Sequence, residues 1–507
     1  MKTPSDDLYQ LIAGLSLSEK RYCSIYLAKH NADEKNRYLA LFDYLKAQPQ
    51  YISKDTIKHL GYAAKPNHYA VLKTQLYEQL LDALHQYDLF SNPEQQLLRS
   101  IHQCHLLLQK GLFKQCEKRM KGLLQTAADM NHYEAQLQLQ NLIMIMHARK
   151  YYRGVPEREL LHWQGQVEHI LADLTTTTHY RYHSSLIYKL QYEVGGRSKE
   201  LAAKMKQIVG LPLFKNIKHA TTLRAQLDYY QVNALYRFTN MEAEKAFEYN
   251  SKFLALLESN MVMQQQLADR YFSVLNNYLI DCLLLKKYNM LDEGIAKLRG
   301  LQSVAAFKRL VNFEANVFRL GYLLELNRHI SEGNFAEAYK ASHAIAKGME
   351  TYADKIVKHN RITLQYLMAY TCFALGKYTE ALDWLWPILQ EKEMAVAQEV
   401  QLAARMLQVL CHFEIGDTLL VPPLVKALRR LLKKDESSDM PRLVLSLVNT
   451  GSNKTISAKE WHKLATAIDT LASNKKSAGS LNLFNYKVWA WGHADGVSFA
   501  GTWAKYA

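Results

Sequence analysis

The residues best suited to hold a metal ion lie in a short segment rich in histidine and cysteine. His102, Cys104 and His105 fall within four positions of one another, and Cys116 follows. Tetrahedral zinc needs converging ligands, but on a helix Cys104 points away from His102, because residues two apart do not share a face. Cys104 and Cys116 also fall where a helical hairpin takes small buried side chains, which free cysteine supplies well. We therefore predict packing at this segment and no metal.

A second pair of histidines, His179 and His183, is better spaced for a metal. Positions four apart lie on the same face of a helix, but no H-E-x-x-H pattern supplies a third ligand. The neighbouring segments, 175–178 and 180–182, are rich in threonine and tyrosine and are typical of a polar helix with exposed rings. We predict a solvated helix face here, and a metal-dependent enzyme is the alternative.

Motifs for catalysis and nucleotide binding are missing from the sequence. It contains no G-x-G-x-x-G, G-x-x-x-x-G-K-S/T or G-x-S-x-G pattern, the marks of a dinucleotide site, a phosphate loop and a nucleophile elbow. The segment 451–455, GSNKT, resembles a phosphate loop only faintly, because it lacks the second glycine and a preceding strand. We predict that the protein is not an enzyme, has no catalytic, cofactor-binding or metal-binding residue, and takes no cofactor.

The densest run of positive charge is KALRRLLKK at 426–434. Its leucines have helical spacing, and its cations lie near the expected helix C-terminus, where they complement the helix dipole. These features favour a structural role, and a surface that follows the phosphates of a nucleic acid is the alternative. The chain has 63 basic and 48 acidic residues, a net charge of +15. That charge is spread along the chain, which favours weak attraction to polyanions over a dedicated nucleic-acid domain.

Residues 53–88 could form a helix-turn-helix, with 53–60 and 67–80 as the paired helices. The intervening turn, 61–66, is longer than the usual ~3–4 residues, and residues 1–90 carry 11 basic and 10 acidic side chains. We therefore favour packing of this block onto the next helices over DNA binding. The side chains that would contact DNA are those of Lys65, His68, Lys73 and Gln75.

Composition limits the elements that can position these side chains. The chain has 507 residues and is 49% hydrophobic, with 21 glycines and 10 prolines. Because a many-stranded β-fold needs many tight turns, this small number of turn residues disfavours it, and we predict an all-α fold. The six cysteines show no C-x-x-C spacing, which is typical of reduced thiols in a cytoplasm. No window approaches the ~18 apolar residues of a spanning helix, and we predict a cytoplasmic protein that contacts no membrane.

Three segments repeat one pattern, in which an aromatic residue follows a glycine by two positions and a small residue comes three positions later. Glycine at positive φ ends one helix, the ring occupies the seam with the next helix, and the small residue lets the two backbones approach. Each segment therefore predicts a helical hairpin, and weaker versions occur at 239–246, at 287–289 and at Gly416. The three clear segments are Gly111–Cys116, Gly333–Ala338 and Gly376–Ala381.

The G-x-aromatic-x-E-A pattern at 333–338 and 376–381 resembles the start of the second helix in the tetratricopeptide repeat family. The spacing departs from the family, because Gly376 lies 43 residues after Gly333, against ~34 in the family, and the closing proline is mostly missing. The resemblance implies a right-handed α-solenoid of irregular tetratricopeptide-like helical hairpins, about eight in number. Near the start, LSEKRY, YLALFDYL and LKTQLYEQLLDAL resemble the front end of a group of uncharacterised bacterial tetratricopeptide-type proteins, and that resemblance implies no activity.

We predict three regions: an N-terminal helical block at 1–90, a tetratricopeptide-like α-solenoid at 91–435, and a C-terminal helix with an aromatic tail at 436–507. The block begins with a capped helix at Ser16, because a serine precedes an early acid. Further helices are expected at about 34–47, 53–60 and 67–88.

The C-terminal region is expected to open with a linker at 435–441, followed by a helix at 457–473 that Ser457 caps. The tail then holds Trp489, Trp491 and Trp503. A terminal repeat must cover the open end of a solenoid, so we predict that these rings pack there as a cap. A docking segment for a partner is the alternative.

The predicted function is a non-enzymatic scaffold or adaptor that binds a protein or peptide along the concave solenoid surface, because stacked hairpins form an extended groove. The 32 tyrosines suit such a groove, but spacing does not say which face Tyr229, Tyr230 and Tyr236 occupy. No partner-binding residue is therefore named. The alternative is a transcriptional or nucleic-acid-binding regulator, in which the helix-turn-helix-like block binds DNA and the repeats sense a partner.

Overall fold

The computed structural model describes residues 6–30, 36–48, 56, 58–59, 66–194, 199–391, 393, 396–432, 438–452, 454–473 and 483–507. Across these residues the chain forms α-helices and short 3-10 helices and no strand, which confirms the predicted all-α class. The chain divides into two compact units, residues 1–271 and 272–507. The predicted region boundaries near residues 90 and 435 stay predictions.

The helices of the first unit, in chain order, are α1 Asp7–Gly14, α2 Leu17–His30, α3 Arg37–Ala47, α4 Pro66–Ser91, α5 Pro93–Gln109, α6 Phe113–Asp129, α7 Tyr133–Arg149, α8 Glu157–Val194, α9 Lys199–Val209, α10 Pro212–Lys215, α11 Leu223–Thr239, α12 Ala243–Glu258 and α13 Met261–Gln266. The division between the units falls within α14, Ala268–Leu284. The helices of the second unit are α15 Tyr288–Gly300, α16 Ala305–Lys308, α17 Phe313–Glu332, α18 Phe335–Lys340, α19 Ser342–Thr351, α20 Lys358–Ala374, α21 Tyr378–Leu389, α22 Gln398–Ile415, α23 Val421–Leu431, α24 Asp439–Gly451, α25 Ala458–Ala472, α26 Tyr486–Asp495 and α27 Phe499–Tyr506. Within the described ranges, no helix is both long enough and apolar enough to cross a bilayer.

The glycines of the predicted hairpins end their helices in the expected way. The residue after each glycine donates its N–H to the carbonyl five positions before it, as Asn334 does to His329 at 2.8 Å. This is the Schellman arrangement, which satisfies carbonyls at the end of the first helix and turns the chain into the second. The four glycines, with φ of +72°, +74°, +74° and +84°, are Gly111, Gly333, Gly376 and Gly416.

The same turn forms at four positions that lack glycine. Asn131, Tyr151, Met241 and Lys286 have φ of +50°, +53°, +63° and +54°, and the residue after each again bonds to the carbonyl five positions before it. The weaker hairpins predicted at 239–246 and 287–289 are therefore confirmed. Asn131 adds a hairpin that the glycine pattern missed.

The small residue of each clear hairpin lies in the seam between its two helices. Cys116, Ala338 and Ala381 are at most 1% exposed. The Cys116 thiol donates to the carbonyl of Cys104 across the α5–α6 seam, with Sγ and O 3.3 Å apart. The sequence reason for the small residue, close approach of two backbones, is therefore confirmed.

Each unit is built from several cores of packed hairpins. In the first unit, α1–α3 and the first part of α4 form one core, α5–α7 a second, and the second half of α8 with α9–α11 a third. In the second unit, α20–α27 share one large core with the start of α18. Neighbouring helices pack together, and so do next-but-one helices such as α5 with α7 and α20 with α22.

Capping at two predicted helix starts is confirmed. The Ser16 N–H donates to Glu19 Oε2 at 2.7 Å, and the Glu19 N–H donates to Ser16 Oγ at 3.3 Å. The same capping box joins Ser457 and Glu460 ahead of α25. There, hydrogen bonds from the Ser457 backbone, then from Lys454 and the Ser457 hydroxyl, lower the pKa of Glu460 to about 2.

The linker expected at 435–441 is wrong in its second half. Residues 439–441 already belong to α24, while 435–437 lie outside the described residues. The helix forms because Met440, Val444 and Val448 recur at helical spacing and are fully buried. Pro441 is tolerated because residues in the first turn need no helical partner for their N–H groups.

Candidate functional site

The side chains of the first histidine- and cysteine-rich segment lie on different sides of α5 and do not converge. His102 and His105 are exposed on α5, whereas Cys104 is buried against Cys116. Burial raises the pKa of the Cys104 thiol to about 11, which disfavours the thiolate that a metal would need. Among the residues that the structure describes, no three His, Cys, Asp or Glu side chains are grouped to hold a metal ion.

The second histidine pair lies on α8 with its two rings in different surroundings. His179 is exposed, while His183 is half-buried with its ring edge-on to Phe214, 5.8 Å between ring centres. Burial, followed by the nearby His179, lowers the pKa of His183. His183 therefore packs against the third core of the first unit, whereas His179 faces solvent.

The basic run forms helix α23, which buries one face and exposes its charges. Val421, Val425 and Leu428 are at most 2% exposed, while the side chains of Lys426, Arg429 and Arg430 are exposed. Residues 433–434 lie outside the described residues. The amphipathic helix accounts for the leucine spacing, as the predicted structural role requires, and nothing in the structure tests the phosphate-binding alternative.

The helix-turn-helix prediction is only partly within the described chain. Its second helix is the start of α4, which continues unbroken to Ser91, whereas Lys65 and most of the turn lie outside the described residues. His68 and Gln75 are exposed, and the Gln75 side chain accepts from Tyr38 OH at 2.7 Å. Lys73 lies over the Tyr69 ring, so two of the four predicted contacts already have partners within the block.

The tyrosines of α11 belong to a core. Tyr229 is 7% exposed, and burial raises the pKa of its hydroxyl to about 12. Its ring centre lies 5.5 Å from that of Tyr230 and 6.3 Å from that of Tyr249. Tyr236 packs partly buried against the same core. These rings therefore stabilise the first unit and leave little area for a partner.

In the second unit, the C-terminal tail covers an aromatic face of α20. Tyr366, Tyr370 and Phe373 recur at helical spacing on that face, and all three are at most 4% exposed. Tyr366 OH donates to the carbonyl of Leu483 at 2.7 Å, and the ring of Phe499 packs 5.9 Å from that of Tyr370. A surface rich in aromatic rings is thus occupied by residues 483–507 of the same chain.

A partly buried carboxylate on α22 binds the tail. Glu414 Oε1 accepts from Trp489 Nε1 at 2.6 Å and lies 2.7 Å from His493 Nε2. The His493 ring stacks on Trp461, with ring centres 4.1 Å apart. Trp503 packs edge-on against Phe335. The prediction that the tail's tryptophans pack on the preceding helices is confirmed.

An open groove lies between α7 and α8 of the first unit, with a volume of about 810 Å³. Its polar lining consists of the amides Gln140, Asn141 and Gln164 and the carboxylates Glu157 and Glu168. Its apolar and aromatic lining consists of Leu137, Met144, Tyr152, Leu160, Leu161, Trp163, Val167 and Leu171. Apolar walls with a few polar groups are the usual composition of a binding site.

The groove stays open because α8 is much longer than the helix it packs against. Helix α8 has 38 residues and α7 has 17. The second half of α8 is covered by α9 and α11, which share the core of Tyr180 and Ile187. On its first half, Leu161 and Leu171 remain 63% and 47% exposed. The apolar lining of α8, from Leu160 to Leu171, is therefore about 17 Å long and partly exposed to solvent.

Several polar groups that line the groove already form hydrogen bonds within the protein. The amide NH2 groups of Gln140 and Gln164 already donate, to Gln166 at 3.0 Å and to Glu168 at 2.9 Å. Gln140 is 5% exposed, and its Oε1 receives no hydrogen bond from the described residues. Within the described chain, neither Glu157 nor Glu168 forms an ion pair with a lysine or arginine.

The spacing of apolar residues in the first half of α8 is a sequence signal for this groove, and it is independent of the glycine pattern that predicts the hairpins. Leu160, Leu161, Val167 and Leu171 lie at helical spacing on α8, and a second apolar set begins at Tyr180. Two apolar stripes on one long helix indicate two different packing partners. In the first stripe, Leu161 and Leu171 remain exposed.

Comparison of the chain with protein-family models, with curated proteins and with solved structures gives no match.

Proposed function

We propose that this chain is a non-enzymatic, protein-binding scaffold whose partner binds in the α7–α8 groove. The repeated Schellman turns and the contacts between next-but-one helices support a tetratricopeptide-like α-solenoid in each unit. Such arrays bind partners on surfaces that packing leaves free. The single observation that carries the proposal is the open groove with its exposed Leu161 and Leu171.

The groove suits a macromolecule better than a small metabolite. Its apolar stripe runs for about 17 Å along α8, and an exposed apolar surface of this kind marks an interaction site. It lacks the converging acids, bases and nucleophiles that a reaction would need. The aromatic face of α20 is covered by the tail, whereas the α7–α8 groove is open. The groove is therefore the better candidate for binding a partner.

Replacing Leu161 with aspartate is expected to abolish capture of the partner. Leu161 is 63% exposed in the free chain, so the change costs little folding free energy. In a complex, the carboxylate would lose its water without gaining a partner, and we expect at least a tenfold loss of affinity, since ~1.4 kcal/mol suffices. The measurement is affinity capture from the native cell with wild-type and variant chains.

The matched control is Leu419→Asp, because Leu419 is also an exposed leucine, at 85%, but lies outside the groove. A protein that is retained by Leu419→Asp and lost by Leu161→Asp supports the proposal. Equal capture by both variants and the wild type would reject the groove as the binding surface.

A further inference from the structure

We infer that the α7–α8 groove binds a basic amphipathic α-helix, an inference that rests on the proposed binding function. Such a helix would place apolar side chains between α7 and α8 and its lysines or arginines against the groove's carboxylates. Three features of the groove indicate this occupant: the few hydrogen-bonding groups that it offers to a peptide backbone, the spacing of its apolar side chains and its charge.

The first feature is the small number of free hydrogen-bonding groups that the groove offers to the backbone of a ligand. An extended peptide would bring unpaired N–H and C=O groups along about 17 Å of apolar wall. The amide NH2 groups of Gln140 and Gln164 already donate within the protein, which leaves Asn141 as the one lining amide without such a bond among the described residues. A helix satisfies its own backbone, so it can bury one face in an apolar groove without further partners.

The second feature is the spacing of the apolar wall. Along α8, the lining side chains Leu160, Gln164, Val167 and Leu171 repeat every three or four residues. Along α7, Leu137 and Met144 are two turns apart. Ridges with this spacing accept the side chains of a third helix at positions i, i+4, i+7 and i+11.

The third feature is charge. The thirteen lining residues include Glu157 and Glu168 and no lysine, arginine or histidine, although the chain as a whole has a net charge of +15. The helix dipole accounts for a carboxylate in the first turn of α8, and Glu168 accepts from the neutral amide of Gln164 at 2.9 Å, which leaves its charge uncompensated. Both carboxylates accept hydrogen bonds, and lysine and arginine side chains only donate.

The test uses the full chain and three synthetic helical peptides of equal length. The first carries leucines at i, i+4, i+7 and i+11 with flanking lysines and arginines, the second replaces those cations with glutamates, and the third scrambles the first. Fluorescence anisotropy at low salt is expected to show binding of the first peptide, about tenfold weaker binding of the second and none of the third. The preference should shrink at high salt, because rim charges are screened.

A charge-reversed chain provides the internal control. The double substitution Glu157→Lys and Glu168→Lys changes two groove carboxylates of the 38-residue α8, and circular dichroism verifies that the helix content is unchanged. This variant should prefer the glutamate peptide over the basic one. Equal binding of both amphipathic peptides by the wild type would overturn the charge inference and leave groove binding intact.

Failure of every amphipathic peptide to bind would overturn the helix inference. Whether the proposed function also fails is then decided separately by the capture experiment with Leu161→Asp and Leu419→Asp. An unchanged peptide preference in the charge-reversed chain would place the peptide elsewhere on the protein and would also overturn the inference.

Discussion

Replacing Trp489 with alanine is expected to lower the free energy of unfolding of the second unit by about 4 kcal/mol. Trp489 is 2% exposed, and its ring packs edge-on against Trp461 with centres 5.1 Å apart. The substitution leaves a cavity and also removes the N–H that donates to Glu414, so a partly buried carboxylate loses one of its partners. Hydrogen exchange of the amides of α20 and α22 measures the free energy for this unit alone.

The matched control is Trp386→Ala, which removes a tryptophan of the same unit that is 63% exposed. That change should alter the free energy by no more than about 0.5 kcal/mol. Equal protection factors in wild type and Trp489→Ala would mean that the tail does not stabilise the second unit. That result would contradict the interpretation of the tail as a cap.

Replacing Gly333 with alanine should destabilise the second unit by about 3 kcal/mol, of which about 1 kcal/mol is backbone strain. The strain arises because φ is +74° at this residue and a left-handed backbone disfavours a Cβ atom. The remainder arises because the new Cβ would lie about 2.3 Å from Cδ1 of Trp503, which forces the tail to move.

Gly376→Ala separates the two contributions. Its φ is also +74°, but a Cβ at Gly376 would meet nothing within 4 Å, so only the strain of about 1 kcal/mol should appear. In a Trp503→Ala background the difference between the two glycine variants should vanish, because the clashing ring is gone. A thermal or urea series in which the two glycine variants are equally stable with Trp503 present would contradict the observed position of the tail.

The hairpins could be predicted from the sequence because their signal is local. A glycine such as Gly376 identifies a left-handed helix end, and the neighbouring Ala381 identifies a close approach, regardless of what else the chain does. The hairpin at Asn131 was missed because asparagine adopts the left-handed region less often than glycine, so the residue type alone is a weak signal.

The groove and the individual contacts of the tail could not be predicted, because both depend on residues distant in the sequence. The periodicity around Leu161 shows that one face of α8 is apolar, but only the short length of α7 and the position of α9 leave that face exposed. Likewise, nothing local to Tyr366 indicates that its hydroxyl meets the carbonyl of Leu483, 117 residues later. Lengths and packing partners of helices are set by tertiary structure.

The most direct test of the central claim, that the partner occupies the α7–α8 groove, is photo-crosslinking in the native cell. A photoreactive amino acid is placed at position 161 or, as the control, at position 419, both of which carry exposed leucines in the natural chain. We expect a single protein adduct from position 161 that is absent from position 419. No adduct at 161, or the same adducts from both positions, would contradict the account.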